Sequence, residues 1–375
     1  MTTSATPSVM PSATPSVTPS FAQSVWLVAE REVGSKLRSK AFLISTGILF
    51  VIALISVVWG GFAAQTSDAI PVAVTADTAS AVAGNDLIDA TQVASADAAR
   101  DLVRSGDVDA ALVPSDAQPF GYTVVGEDGV PSTLLSLLSV TPTVELLNPD
   151  ATDGMLRYFV ALGFGLVFFM AALTFGSTIA QSVVEEKATR VVELLISAIP
   201  VRALLAGKVI GNTILAMGQI IGLAAIAIIG FTVTGQSDLL AGLGAPLAWF
   251  AVFFLFGFVL LASLFAAAGA MVSRQEDIGS TTTPLTLLVM APYFLVIFFN
   301  DNDLVMSIMS YVPFSAPVAM PVRIFLGGAQ WWEPLLSLVV MLATCAVAIW
   351  VGAKIYENSI LRMGARVKLA EALSA

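Results

Sequence analysis

The sequence offers few side chains for catalysis. The chain has no histidine, the commonest general base and metal ligand in proteins, and its single cysteine, Cys345, cannot form an internal disulfide. A phosphate-binding loop of the pattern G-x-x-x-x-G-K-S/T is missing too. At Gly207 and Lys208 the next residue is Val209, and the position five before Gly207 is Arg202. We therefore predict that the chain is not an enzyme and holds no cofactor or metal of its own.

Charged and apolar residues follow a helical period in the segment 181–211. Apolar residues recur at three- and four-residue steps and define one helical face: Val184, Ala188, Val191, Leu195 and Ala198. The charged residues lie largely outside that face: Glu185, Glu186, Lys187, Arg190 and Glu193. Glu186 and Arg190 have the i,i+4 spacing of an acid-to-base pair, which supports a helix by a few tenths of a kcal/mol. The pattern predicts an amphipathic helix, either a docking surface or an interfacial connector without a partner.

The composition indicates which solvent surrounds these elements. Hydrophobic residues make up 57% of the chain and charged residues 12%, with a mean hydropathy of +0.87. Soluble proteins average about 45–50% apolar and about 25% charged residues. Because one globular core cannot bury so much apolar surface, we predict an α-helical integral membrane protein in a lipid bilayer. The formal net charge of -10 argues against nucleic acid as a partner.

Six apolar stretches are each long enough, at about 20 residues, to cross a bilayer as a helix. They cover residues 41–62, 156–180, 209–233, 245–272, 278–299 and 334–353. The only Asp, Glu, Lys or Arg within them is Arg157, which lies at an end. Proton relays and charge-moving carriers normally keep ionisable groups at membrane depth, so this pattern disfavours a proton-coupled carrier.

The positions of lysine and arginine predict the orientation, because positively charged loops stay in the cytoplasm. With the N-terminus inside, thirteen of the 17 basic residues lie in cytoplasmic segments. We therefore expect a multi-pass protein of the plasma membrane with both termini in the cytoplasm. Residues 1–20 are expected to form a disordered Ser/Thr/Pro-rich tail, and residues 354–375 a cytoplasmic tail. Residues 21–40 suit a cytoplasmic amphipathic helix at the membrane surface, with a solvated lead-in as the alternative.

Residues 63–155 are rich in Asp, Ala, Val and Gly and predict a small α/β domain outside the cell, inserted between the first and second spans. Short buried strands are predicted over residues 70–75, 109–113 and 122–125. Asp97 is expected to cap a helix over residues 98–105 that Gly106 ends. The aspartates lack the D-x-D-x-D-G spacing of a calcium loop, so a solvated acidic surface is the better interpretation.

Residues 181–353 contain one irregular region. Residues 181–208 form the cytoplasmic helix region described above, and residues 209–353 contain spans three to six. Within the latter, the apolar run at about 304–330 is interrupted by Pro313, Pro317 and Pro321. Proline lacks a backbone donor, and lipid cannot replace it, so short re-entrant helices are predicted there instead of another crossing.

Four motifs resemble those of one transporter family. EEKATRVVELLISAIPVRALLAGKVIG (residues 185–211) resembles the motif of type-2 ABC exporter permeases. YVPFSAPVAMPVRIFLGG (311–328), WWE (331–333) and AKIYENSIL (353–361) resemble the sodium-efflux permease, or NatB, branch. Together with the long outward domain after the first span, the resemblance covers nearly everything from about residue 21 to residue 366.

The resemblance implies a transmembrane permease subunit that works with a separate cytoplasmic ABC ATPase, which binds the ATP and magnesium. It also implies a dimer with a second permease chain, either another copy or a paralogue. The residues implied in ATPase coupling are Glu185, Glu186, Lys187, Arg190, Glu193, Leu194 and Leu195. Gly207, Lys208 and Gly211 match the entrance to the next span, and Gly207 and Lys208 complete the coupling set.

The cargo stays open at this stage. A sodium site needs several convergent oxygens, and candidates near spans three and five are Asn212, Thr213, Gln219, Thr281, Thr282, Thr283 and Asn300. Such residues more often hydrogen-bond between helices, and a drug, lipid or other amphiphile suits the uncharged spans equally well. Two other classes remain: a membrane-anchored sensor or assembly protein that binds ligand through its outward domain, and a secondary carrier.

Overall fold

The computed structural model describes residues 19–65, 69–85, 87–115, 121–126, 134, 138, 154–362 and 367–374. Most of the predicted N-terminal tail, residues 1–18, lies outside this set. The chain divides into two compact units, one formed by residues 58–150 and a helical unit formed by the rest.

Six of the helices are long and apolar enough to cross a bilayer, counted over the residues described. The helices are α1 (Phe21–Arg38), α2 (Lys40–Gln65), α3 (Ala96–Ser105), α4 (Gly154–Ala188), α5 (Val191–Ala198), α6 (Val201–Val233), α7 (Ser237–Ala270), α8 (Ile278–Phe298), α9 (Asp303–Met309), α10 (Ala316–Phe325), α11 (Glu333–Ile360) and α12 (Leu369–Ser374). The six spans are α2, α4, α6, α7, α8 and α11, which confirms the predicted number and makes this a multi-pass membrane protein. Both α4 and α6 extend beyond the predicted apolar runs, because a helix can continue past the hydrocarbon into water.

The core of the helical unit is built around α7, which packs against α4, α6, α8, α10 and α11. Its Phe254 and Phe258 are buried and meet aromatic side chains of α4. Phe168 contacts Phe254, and Phe175 contacts Phe258, both edge-to-face with ring centroids 5.8 Å apart. Edge-to-face pairs add about 0.5–1.5 kcal/mol to the burial of the rings. These contacts hold α4, whose last turn carries Glu185, Glu186 and Lys187, firmly on the central helix.

The proline-rich region contains two short helices, α9 and α10, of 7 and 10 residues. At 1.5 Å per residue, ten residues extend about 15 Å, half of the hydrocarbon thickness. Arg323 of α10 is buried and binds Glu333 at 2.8 Å and the Ser310 hydroxyl at 2.8 Å. These polar contacts fix the region against the start of α11. Its re-entrant placement in the membrane stays a prediction.

The unit of residues 58–150 contains a four-stranded sheet with α3. The strands are β1 (Ile70–Thr75), β2 (Ile88–Val93), β3 (Ala110–Pro114) and β4 (Tyr122–Val125), in the order β2-β1-β3-β4. β1 pairs parallel with β2 and β3, and β3 pairs antiparallel with β4. α3 covers one face, where Ala99 and Val103 pack with Ala73 and Ala111.

Two details of this unit differ from the sequence predictions. β2 was not predicted, because most of its side chains are exposed and the strand has no apolar run. The cap of α3 is Ser95, whose hydroxyl accepts a hydrogen bond from the Ala98 amide at 3.2 Å. The prediction of Asp97 as the cap is therefore wrong, and Asp97 instead pairs with Arg100. Gly106 ends the helix with φ 74°, as predicted.

Candidate functional site

The amphipathic segment 181–211 is broken where the sequence predicts a continuous helix. α4 ends at Ala188, α5 begins at Val191, and Arg190 between them has φ 59°. A left-handed conformation costs a residue other than glycine roughly 1–2 kcal/mol, so the surrounding contacts must hold this break in place. The break rotates α5 relative to α4 and changes the buried face. Val192 is fully buried, whereas Val191 and Ala198, predicted on the apolar face, are exposed.

α5 exposes a small surface that combines apolar, acidic and polar side chains. Leu194 is 73% exposed, and Glu193 and Ser197 are also exposed. Val192 and the half-buried Leu195 anchor the opposite side to the core of the helical unit. Leu194 is thus held outward on an anchored helix, where a partner can contact it.

Glu186 does not form the predicted i,i+4 pair with Arg190. Its carboxylate instead binds the Lys208 ammonium of α6 at 3.0 Å and the Arg31 guanidinium of α1. Lys208 is fully buried and also binds Glu32 of α1 at 2.8 Å. These four side chains, Arg31, Glu32, Glu186 and Lys208, are called the charge cluster below. It joins α1, α4 and α6 beside the start of α5.

The charge cluster is balanced, with two acidic and two basic groups. Burial raises the pKa of Glu32, but the adjacent Lys208 and Arg31 lower it further, and the net result is a pKa below the ordinary value. Glu32 is therefore ionised at neutral pH and provides the negative charge that a buried lysine needs. A buried ammonium without such partners would cost several kcal/mol.

α1 is seated on α6 through two glycines. A Cβ atom on Gly207 would lie 2.4 Å from the Val28 Cβ, and one on Gly211 would lie 2.9 Å from the Ala29 carbonyl oxygen. Only glycine permits such a close approach of the two backbones. α1 is therefore packed against a span, which argues against the solvated lead-in. Sequence reasoning missed Arg31 and Glu32 as site residues, although the G-x-x-x-G spacing of Gly207 and Gly211 was an available signal.

The predicted coupling residues fall into two groups. Exposed residues that a partner could contact are Glu185, Arg190, Glu193 and Leu194, with Glu186 and Leu195 half-buried. Lys187, Gly207, Lys208 and Gly211 are buried inside the chain. The ammonium groups of Lys187 and Lys208 are fully enclosed by this chain's own helices. The coupling role of the whole set stays a prediction.

The polar residues proposed for sodium mostly bond within their own helices. Thr213 donates to the Val209 carbonyl at 2.7 Å, and Thr283 donates to the Gly279 carbonyl at 2.6 Å. The Asn212 amide nitrogen donates to the Lys208 carbonyl, while its Oδ1 atom is buried without a hydrogen-bond partner. The remaining side chains with bonds of this kind are Thr281, Thr282 and Asn300. The expectation of bonds between helices is therefore wrong for these residues.

Comparison with known proteins identifies the family. A family model described as ABC-2 family transporter protein matches residues 40–354, which include all six spans up to most of α11. The chain belongs to the ABC-2 transporter family. Members of this family are typically non-catalytic membrane permease subunits and generally work with a cytoplasmic ATPase subunit.

Two curated relatives of this ABC-2 chain are themselves uncharacterised. YhaP of Bacillus subtilis (strain 168) is 29% identical over 210 residues, which are 53% of this chain and 50% of YhaP. MJ1024 of Methanocaldococcus jannaschii is 25% identical over 212 residues, which are 56% of this chain and 51% of MJ1024. The chain thus spans about half the length of the curated relatives it matches. No solved structure gives a significant match.

Proposed function

We propose that this ABC-2 chain is the permease subunit of an ATP-driven exporter in a bacterial-type plasma membrane. In this proposal, the spans form the translocation pathway, and α5 receives force from a separate cytoplasmic ATPase that binds ATP and magnesium. The observation that carries the proposal is the exposed Leu194 on a short helix rooted beside the buried charge cluster. Family membership supports the same assignment.

The proposed mechanism is mechanical. When two ATPase subunits close on ATP, they push α5, and the ends of α4 and α6 move with it. The charge cluster ties α4 and α6 to α1, so the three helices respond together. A second permease chain, a copy or a paralogue, completes the pathway between two bundles. The tilt of the spans then opens this pathway outward.

The substitution Leu194→Glu tests the docking surface. We expect the amount of ATPase that co-purifies with the permease to fall at least tenfold, or about 1.4 kcal/mol, because a charge would replace an apolar side chain of the proposed contact surface. Leu304→Glu is the matched control, since Leu304 of α9 is 72% exposed and lies between the fifth and sixth spans, on the side opposite the cytoplasm in the predicted topology. Equal recovery of ATPase with both variants would show that Leu194 of α5 does not contribute to the interface with the ATPase.

The proposed orientation, with both termini in the cytoplasm, is tested by labelling. In a Cys345→Ser background, a membrane-impermeant maleimide should react in intact cells with Gln92→Cys of β2 and not with Ser197→Cys of α5. Both parent residues are exposed, so access to the side chain is not limiting. After permeabilisation both sites should react. Labelling of Ser197→Cys alone in intact cells would show that the orientation is the opposite of the proposed one.

For the cargo, the three motifs at residues 311–328, 331–333 and 353–361 favour the NatB-like branch and therefore sodium efflux. The unpartnered Oδ1 atom of Asn212 is one oxygen ligand available for a cation. Inverted vesicles that contain the permease and its ATPase should accumulate radioactive sodium on addition of ATP. Accumulation of a fluorescent amphiphile with no sodium uptake would assign the cargo to the drug and lipid class instead.

A further inference from the structure

Lys187, the last charged residue of α4, is buried where it meets no carboxylate in the described part of the chain. Its Nζ atom donates hydrogen bonds to the Ala270 carbonyl oxygen at 2.7 Å and to the Ser359 carbonyl oxygen at 2.8 Å. Ala270 is the last residue of α7, and Ser359 is the next-to-last residue of α11. One side chain of α4 therefore binds the carboxyl ends of two other spans.

Helix dipoles explain how a buried ammonium is tolerated there. The last four carbonyl groups of a helix lack partners within the helix, and each carboxyl end carries roughly half a negative charge. The two ends that face Lys187 together offset about one positive charge. Lys187 thus donates to a carbonyl group at the end of each helix, and the negative ends of the two helix dipoles favour its positive charge.

The position of Lys187 along the chain places this contact next to the start of α5. Lys187 lies directly before the break at Arg190, and α5 begins at Val191. Its neighbour Glu186 binds Arg31 and Lys208, on α1 and α6. The residues just before α5 therefore contact four helices: Glu186 binds α1 and α6, and Lys187 binds α7 and α11.

The pair of α7 and α11 does not depend on Lys187 alone. The Val367 amide donates to the Met271 carbonyl at 2.9 Å, just after α7, and the Asn358 side chain donates to the Ala372 carbonyl of α12 at 2.7 Å. The segment around α12 thus links the same two helix ends. α7 and α11 are also in extensive contact along their lengths. Loss of the lysine should release only the last turn of α4 from these helix ends, because the aromatic contacts keep the rest of α4 on α7 and the α7 and α11 pair stays assembled.

We propose that Lys187 is a positioning residue that transmits movement of α5 to the ends of α7 and α11. The inference rests on the proposed function, because the movement comes from the ATPase. Without Lys187, α5 would still dock and α4 would still pack along its neighbours, but displacement of α5 would no longer pass directly to the ends of α11 and the central span. α7 is that central span, so the lysine connects the docking helix to the core of the pathway.

The test measures whether α5 and the end of α11 move as one body. Spin labels are placed at Ser197→Cys in α5 and Leu361→Cys after α11, both exposed positions, in the Cys345→Ser chain. Labelled chain is diluted with unlabelled chain and bound to the ATPase. With Lys187 present, the distance distribution should stay narrow and unchanged when ATP binds. With Lys187→Met it should broaden and shift on ATP binding, whereas Lys187→Arg, which keeps the charge and the donors, should retain the narrow distribution.

Several outcomes separate the possible failures. A narrow, unchanged distribution in folded Lys187→Met would overturn the inference. If Lys187→Met does not fold, Lys187→Gln replaces it, because its uncharged amide lies one atom nearer the backbone than the lysine ammonium, which weakens the contact with both carbonyl groups. A broadened distribution in Lys187→Gln would support the inference, and a narrow one would refute it. If the unsubstituted chain does not bind the ATPase, the proposed function fails. The width of the distance distribution without nucleotide still shows whether Lys187 tethers α4 to α11.

Discussion

Replacing Lys208 by methionine should lower the free energy of unfolding of the helical unit by about 3–5 kcal/mol. The substitution keeps the length of the side chain but removes the ammonium that lies 2.8 Å from Glu32 and 3.0 Å from Glu186. Their side chains are only 8% and 12% exposed, so water cannot replace the lost partner. Thermal unfolding of the detergent-solubilised permease would measure the loss.

The control for this prediction is the exposed ion pair of Arg202 with Glu357. Its atoms are 2.6 Å apart, but the two side chains are 70% and 30% exposed. Exposed pairs are typically worth 0–1 kcal/mol, so Arg202→Gln should leave the unfolding temperature nearly unchanged. Adding Glu32→Gln to Lys208→Met should restore part of the stability, because it removes one of the two carboxylates that would otherwise share the single Arg31 guanidinium. Equal losses for Lys208→Met and Arg202→Gln would contradict the buried charge cluster.

Replacing Gly207 by alanine should destabilise the contact of α1 with α6 by about 1–3 kcal/mol, the usual cost of overpacking. A Cβ atom would lie 2.4 Å from the Val28 Cβ and 2.8 Å from the Val25 carbonyl oxygen, and neither atom is the end of a flexible side chain. α1 must move away, which also pulls Glu32 from Lys208. Faster proteolysis within α1 and a lower unfolding temperature would both report this displacement.

Gly218→Ala is the matched control on the same helix. Nothing lies within 4 Å of a Cβ atom built on Gly218. Alanine favours a helix over glycine by about 1 kcal/mol, so this variant should be unchanged or slightly more stable. If both alanine variants behave alike, the close approach of α1 and α6 is not what Gly207 provides.

The six spans could be predicted from the sequence because lipid imposes a strong local requirement. Within a bilayer every backbone group must be paired inside the helix, and about 20 apolar residues are needed to cross. A run of consecutive apolar residues meets that requirement, as in α7 and α11, and such a run can be recognised in the sequence. The strands β1 and β3 were also predictable, since both are apolar runs, whereas the exposed β2 had no such run.

The site itself depended on residues far apart in the chain. Lys208 and Glu32 are separated by 176 positions, and Arg31 and Glu186 by 155. A local pair of Glu186 with Arg190 offers a few tenths of a kcal/mol, whereas leaving Lys208 buried and unpaired would cost several. The larger effect decides the partner of Glu186. No local pattern could show which lysine would be buried beside it.

Local patterns therefore determined the number of spans, the place of the inserted domain and the charged segment before α5. Tertiary packing alone decided that this segment breaks at Arg190, that α1 lies against α6 and that Lys187 binds the ends of α7 and α11. The physical reason is the range of the interactions. Transfer into lipid acts on each stretch of chain separately, whereas a buried charge takes its partners from whichever helices the fold brings beside it.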